Sequence, residues 1–526
     1  MNETHSATQQ QTEQFGSGDR TKHMLQSSFW VMLISGVSKL TGFVKLLLLT
    51  QFFGAGAEAD AFTSANQLPE LFFTMLAGGA LGAAIIPVYS AYLTGNQRGN
   101  AARLSNTIFT LITLALVLFC SVAAYYAPWI IRTILVPHFL PEQQMLTANL
   151  MRILLAATVV FGMGNIIASI LNAHQHFILP ALGMVALDIG QVLGIYFLAP
   201  RIGIQSSAWG VFFGACMLFL MQIPALVRHR IGYRPQMDLG LDGTREVLTL
   251  MGPRIITLGV IQAVDIIFIR LASGLPDGSI SAYFYALLTM VFMPRSLFSA
   301  AIAVVILPTT SEQYNTGRRE DVMRTISHSL QTAWVLIIPA AVGLITLGQP
   351  AVSFLFERGE FTAEASALVY TIMAIMSLRL LSQATQDVLS VPFYSHHNTT
   401  LPMYANIAWT ILNIALCYAL IPFGIIGLTW ATTIAEIFLA LALFALLRWY
   451  IGKLDERMLL IGLMRITIAC LVMSGVIYAI RQLEMGILPY LASGMGLGLL
   501  TYVGVYVALG GKELHMLWRI WQDRTN

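Results

Sequence analysis

Charge is what this chain lacks most. Only 10% of its 526 residues are Asp, Glu, Lys or Arg, whereas a soluble domain carries roughly 25%. An ordinary water-soluble globule is thereby excluded. The net charge of +3 says little, because its distribution matters more than its sum. Cysteine is also sparse. Cys120, Cys216, Cys417 and Cys470 lie singly in apolar runs without metal-ligand spacing, and read as small buried side chains. No P-loop, no phosphate-cradling glycine turn and no His/Cys metal spacing occurs. No residue set supplies nucleophile, base and oxyanion donors together, so the chain does not read as an enzyme. Without an ATP site, a transporter must run on an ion gradient, the membrane potential or its substrate gradient. The start of the chain has no basic-then-apolar layout of a cleavable signal. Residues 1–24 read instead as a polar, disordered tail.

What is present is apolar. The chain is 57% hydrophobic, with a mean hydropathy of +0.72. Apolar runs separated by polar or Pro/Gly breaks predict an all-α polytopic membrane protein of about fourteen spans. These are 25–53, 60–93, 102–128, 145–173, 178–199, 204–228, 245–273, 279–311, 322–348, 363–392, 400–421, 424–449, 457–482 and 487–510. The tail 511–526 reads as a short interfacial helix. Basic residues gather in alternate loops, including Arg228–Arg245, Arg318–Arg324 and Arg448–Arg457. The positive-inside rule then places both termini in the cytoplasm.

The chain repeats itself. His174, Leu179-Pro180 and Pro200 recur as His396, Leu401-Pro402 and Pro422, 222 residues later. Ile86-Pro87-Val88-Tyr89-Ser90 recurs as Leu307-Pro308-Thr309-Thr310-Ser311, at an offset of 221. Two six-span copies running in the same sense are expected, 25–228 and 229–449, followed by an extra pair of spans in 450–510. Parallel repeats of this kind place a site between the halves.

Ionisable groups inside apolar runs are functional candidates by default. In the first span, Ser35, Ser38, Lys39, Gly42 and Lys45 recur at helical spacing and predict a polar, cationic stripe facing a cavity. Lys39 and Lys45 are only about 9 Å apart along the axis, too close to snorkel to opposite interfaces. Beyond that span the candidates are Glu70, Asp188, Arg254, Asp265, Arg270, Arg295, Arg379, Asp387, Glu436 and Arg465. Arg254 and Arg295 adjoin Pro253 and Pro294, where a kink frees backbone carbonyls. The small-residue run Leu76–Ala84 predicts close helix packing or a hinge. His174, His176, His396 and His397 read as shared loop ancestry, with metal binding as the alternative.

Several stretches resemble one family. Phe53-Gly54-Ala55-Gly56 with Asp60-Ala61-Phe62 and Leu68-Pro69 is similar to the start of MurJ (MviN-type) lipid II flippases, of the multidrug/oligosaccharidyl-lipid/polysaccharide exporter superfamily. So are Met251-Gly252-Pro253 with Gln262, Ile306-Leu307-Pro308, Leu355–Thr362, and Phe393-Tyr394-Ser395 with Pro402. The resemblance runs from about residue 28 to the end. It implies two pseudo-symmetric six-helix lobes in a V plus two C-terminal helices, in the bacterial inner membrane. The implied activity is moving undecaprenyl-pyrophosphate-linked peptidoglycan precursor to the outer leaflet by alternating access.

On that resemblance Lys39 and Lys45 match basic positions, where arginine is usual, and Asp60 matches an acidic one. The expected substrate-binding set is Ser38, Lys39, Lys45, Asp60, Arg254, Arg295 and Arg379. Phe73 or Thr74, and Thr289, stand where the family has arginines. Asp265, Asn413 and Thr433 match a sodium site between spans 7, 11 and 12, with Cys417 where a carboxylate is expected. No cofactor is expected, while sodium or proton coupling stays open. Expected partners are lipid II or a related polyprenyl-pyrophosphate glycolipid, membrane lipids and cell-wall synthesis machinery, with no nucleic acid. The alternatives are a flippase for another polyprenyl-linked glycan, an exporter of small amphiphiles, or a non-transporting cell-wall scaffold.

Overall fold

The computed structural model describes residues 30–513, apart from 96, 229–231, 291–293, 296–297 and 397. The polar tail before residue 25 and the interfacial helix expected near the C-terminus lie outside the described residues. All regular structure among those described is helical. The helices are α1 Trp30–Phe53, α2 Ala57–Thr94, α3 Arg98–Tyr125, α4 Pro141–Ala173, α5 Ile178–Ile202, α6 Gln205–Arg228 and α7 Asp242–Ala272. Then come α8 Ser279–Met290, α9 Ser299–Asn315, α10 Arg319–Phe356, α11 Ala363–Ser395, α12 Thr400–Leu420, α13 Gly424–Tyr450, α14 Glu456–Arg481 and α15 Ile487–Ala508.

Among the described residues, twelve apolar stretches are long enough to cross a membrane. Two details reconcile that number with the expected fourteen. Thr400–Tyr450 is continuous by hydropathy but folds as α12 and α13, separated by the single turn Ile421–Phe423. Across the eighth expected span, the described helices α8 and α9 are each shorter than a span, and 291–293 and 296–297 between them lie outside the described residues. The protein is a multi-pass membrane protein, and its outward Leu118, Phe119, Tyr196, Phe197, Leu471 and Leu500 suit a hydrocarbon surround in which the backbone bonds only to itself.

Local chemistry sets the helix ends. Thr362 caps α11 by accepting from Ala365 N at 3.2 Å, and Asp455 caps α14 by accepting from Met458 N at 2.9 Å. The turns after α5 and α12 both pass through a left-handed glycine, Gly203 at φ +56° and Gly424 at φ +68°. These two positions are separated by the repeat offset, so the repetition extends to backbone conformation. Within α2, a wide turn at Phe73–Ala77 ends on Gly78, whose ψ of −143° leaves the helical range. The small-residue run therefore contains a real break, while a Cβ added at Gly82 would meet Ser169 Oγ at 3.5 Å.

The chain forms two compact units. One holds the described residues up to Phe52 together with Ala61–Ala263; the other holds Phe53–Asp60 and the described residues from Val264 on. The division falls inside α7. In the first unit, Leu81, Ile85, Leu104, Ile108, Leu116 and Ile166 form a buried core. Helices α5 and α6 meet backbone to backbone: a Cβ on Gly190 would lie 2.2 Å from Gly214 Cα, and one on Gly194 2.4 Å from Gly210 Cα. In the second unit, Val322, Ile326, Leu330, Val388, Phe393 and Leu447 fill the core. Helices α14 and α15 pack on α10, where Tyr502 Oη donates to Val335 O at 2.7 Å.

Candidate functional site

In the first unit, α1 directs Thr41, Gly42 and Lys45 at Asp188 of α5. Lys45 Nζ donates to Asp188 Oδ1 at 2.7 Å. Thr41 Oγ1 lies 3.4 Å from Oδ2 and donates to Ser38 O at 3.1 Å. Gly42 lies beside the carboxylate, where a Cβ would make an ordinary contact with Oδ2 at 3.6 Å. Glu70 lies within electrostatic reach of Lys45 and accepts from Thr74 Oγ1 at 3.4 Å. Lys39 is about 120° further round the helix, from six residues at 100° each. It is exposed, as is Arg254 on α7, and neither makes an ion pair with a described residue.

The second unit treats its cations differently. Arg295 grips Asp387 with two parallel bonds, Nε to Oδ2 at 3.1 Å and Nη2 to Oδ1 at 2.8 Å. Ser299 Oγ adds a third at 2.8 Å. Arg379 Nη2 lies 3.0 Å from Glu436 Oε1, and their side chains are only 15% and 6% exposed. Its Nη1 donates to Tyr283 Oη at 3.3 Å, which donates to Thr432 Oγ1 at 3.3 Å. Gln386 Nε2 donates to Glu436 Oε2 at 2.8 Å. The Tyr283 ring packs tilted against Phe268 with centroids 4.1 Å apart, one turn from Asp265. Asp265 is within electrostatic reach of both Arg379 and Tyr283.

Asp60 plays a third part. Its carboxylate accepts from Gly278 N at 2.8 Å and Ser281 N at 2.7 Å, closing the start of α8. Tyr285 Oη donates to Gly54 O at 3.0 Å. Gly54, at φ +59°, has the Glu360 carbonyl oxygen 2.4 Å from where its Cβ would be. Gly278, at φ +87°, has Ala55 O equally close. Both positions require glycine for conformation and for space. Phe53–Asp60, the start of α8 and the Glu357–Phe361 turn thus form one clasp within this unit.

The comparisons with known proteins account for those stretches. The model of the family described as "Lipid II flippase MurJ" matches residues 49–492. The chain belongs to the MurJ family. A "Probable lipid II flippase MurJ" of Bdellovibrio bacteriovorus is 28% identical over 530 residues, covering 96% of this chain and 99% of that protein. One from Vibrio cholerae is 29% identical over 437 residues, covering 80% and 82%. Among solved structures, "Lipid II flippase MurJ, inward closed conformation" overlays with a TM-score of 0.78 at 23% identity, covering 93% and 99%. A structure described as "Inward-facing conformation of a multidrug resistance MATE family transporter of the MOP superfamily" overlays at 0.66 and 15% identity, covering 79% and 94%. These overlays show the fold of the chain.

The sodium site implied by the MurJ resemblance fits these residues poorly. Asn413 is buried, but its Oδ1 already accepts from Cys417 Sγ at 3.4 Å, and a thiol replaces the carboxylate. Thr433 Oγ1 is buried without a hydrogen-bond partner among the described residues. The neighbouring carboxylates Asp265 and Glu436 face Arg379. A second unit charge about 4 Å from a guanidinium meets roughly 4 kcal/mol of repulsion even at an effective dielectric of 20. No three His, Cys, Asp or Glu side chains among the described residues are grouped to hold a metal.

The histidines serve their helix ends. Tyr89 Oη is 3.1 Å from His174 Nε2. His396 Nδ1 is 2.7 Å from Pro392 O, with its ring 3.6 Å from that of Tyr314. His397 lies outside the described residues. Burial of His396, and then Arg319 nearby, hold its pKa below the ordinary 6.5 against the Pro392 bond. Sequence reasoning had every charged member of these networks but none of the pairings. Tyr283, Gln383 and Gln386 were missed because uncharged polar residues carry no distinctive signal in an apolar run.

Proposed function

We propose that this chain flips lipid II, carrying the undecaprenyl-pyrophosphate-linked precursor from the inner to the outer leaflet of a bacterial cytoplasmic membrane. The observation carrying this reading is the family match across 49–492, together with cations kept in the membrane-spanning part of the first unit. Lys39 and Arg254 are exposed and unpaired among the described residues, and Lys45 shares a mostly buried pair with Asp188. A diphosphate leaving water needs matched positive charge or its desolvation is not recovered. Lys39 and Arg254 offer that charge directly. Lys45 offers it by exchanging Asp188 for a phosphate oxygen, with Ser38 and Thr41 as neighbouring hydroxyls.

In this reading Arg295 and Arg379 are structural counter-ions. Asp60 holds the clasp that must loosen as the headgroup is exposed to alternate sides. The six-span lobes are 25–228 and 229–449, the extra pair lies in 450–510, and both termini are cytoplasmic. The reading includes no nucleic acid and no catalytic step.

Phe73 or Thr74, and Thr289, standing where the family has arginines, favour a second reading: a flippase for another polyprenyl-linked glycan. Complementation of a conditional lipid II flippase depletion strain separates the two. Restored growth with lipid II reaching the outer leaflet supports the first. Normal expression without rescue, plus binding of a different polyprenyl glycolipid by native mass spectrometry, supports the second.

A further inference from the structure

The Arg379 network has a consequence for ion coupling. It gathers two carboxylates from different helices, Asp265 on α7 and Glu436 on α13, around one guanidinium from α11. The guanidinium bonds Glu436 through one terminal nitrogen and Tyr283 through the other. Tyr283 leads on to Thr432, next to Thr433, and to Phe268, one turn from Asp265. Of the residues that align with a sodium site, Asp265 therefore lies within electrostatic reach of a cation that the chain itself provides.

We propose that Arg379 stands where a bound alkali cation would otherwise neutralise Asp265 and Glu436, so that this chain folds and transports without sodium. Three features support the exchange. The carboxylate expected at position 417 is a thiol, so negative charge has been lost from α12. Glu436 restores it on α13, one helical turn beyond Thr433. And Glu436 is bound on all sides by fixed donors, Gln383, Gln386 and Arg379, which a mobile ion would have to displace. A guanidinium suits this task better than an ammonium, because its planar fork reaches two acceptors at once and stays charged when buried. Being tethered, it neutralises the site at any sodium concentration.

The test is thermal unfolding of the purified full chain in sodium chloride against potassium chloride at equal ionic strength. A ligand that binds only the folded state raises its stability with concentration. The wild type should melt at the same temperature in both salts. Arg379→Gln should become sodium-sensitive, melting higher in sodium than in potassium, because two carboxylates then lack their cation. Saturable sodium stabilisation of the wild type, abolished by Asp265→Asn, would overturn the proposal. So would a folded Arg379→Gln that ignores sodium. If Arg379→Gln folds in neither salt, Arg379→Lys decides: equal melting in both salts upholds the tethered cation, and selective sodium stabilisation defeats it. The readout is independent of the transported lipid, so it stands or falls separately from the substrate assignment.

Discussion

Lys45 and Asp188 meet at 2.7 Å across 143 residues of chain. The pair joins α1 to α5 within one unit, and Asp188 is the more buried partner, with 14% of its side chain exposed against 32% for Lys45. Truncating the lysine leaves a carboxylate largely out of water, which is worse than losing both charges. Lys45→Gln should therefore destabilise by about 1–3 kcal/mol, and Lys45→Gln with Asp188→Asn should recover most of that. If the pair is only structural, the double variant also recovers transport. If Lys45 takes the diphosphate, transport stays low while the melting temperature returns.

Asp60 is tested through the clasp. Two backbone N–H groups at the start of α8 depend on its carboxylate, and bonds to a charged acceptor contribute roughly 1.5–3 kcal/mol each. Asp60→Ala should lower the melting temperature and speed proteolysis at the 53–60 segment. Gly278→Ala should do the same by a different route, since its Cβ would meet Ala55 O at 2.4 Å. Wild-type protection in both variants would remove the clasp as a structural element.

Much of this was legible beforehand, for physical reasons. Every span announced itself because hydrocarbon demands long apolar helices, and the repeat was visible because landmarks such as His174 and His396 survive at one offset. The stripe on α1 was only partly legible. Lys45 points at Asp188, but Lys39 lies about 120° away, a difference that spacing alone blurs when five polar positions are taken as one face. Pairings such as Arg379 with Glu436 were out of reach because periodicity reports a helix face and not what it meets. The break at Gly78 was equally hidden, since a run of small residues serves packing and bending alike.

The contact of α5 with α6 is one pairing that spacing does encode. Gly190 and Gly194, and Gly210 and Gly214, repeat at four residues, which brings two membrane helices within backbone contact. Gly190→Leu should push the helices apart and abolish folded protein, whereas Gly56→Ala, with nothing within 4 Å of its Cβ, should be tolerated. Detergent-stable yield by size-exclusion chromatography measures both. Equal yields would mean that the close approach is not needed.

His396 gives the structure a pH dependence. Its folded-state pKa lies below the ordinary 6.5 because burial, with Arg319 nearby, disfavours the imidazolium. The unfolded chain thus binds the proton more readily. The associated stability is complete above 6.5 and is lost as pH falls through the lower, folded-state value. Wild-type melting should decline over that window, and His396→Gln should flatten the decline. An unchanged slope in the variant would assign the pH response to other groups.

Lys39 carries the sharpest functional prediction. It is an intramembrane cation without an ion pair among the described residues, at a position where the MurJ resemblance places a basic residue. Removing it breaks no ion pair among the described residues, so Lys39→Gln should express and melt like the wild type. Transport should nevertheless fall by roughly 10-fold or more if one charge-assisted contact of about 1.5–3 kcal/mol to a phosphate is lost. Lys39→Arg should keep activity, because charge and reach persist and the planar fork grips phosphate at least as well. Growth in the depletion strain and lipid II binding by native mass spectrometry provide independent readouts. A normally expressed Lys39→Gln with unaltered growth and binding would place Lys39 at the lipid interface, snorkelling to water, and leave Arg254 and Lys45 to meet the diphosphate.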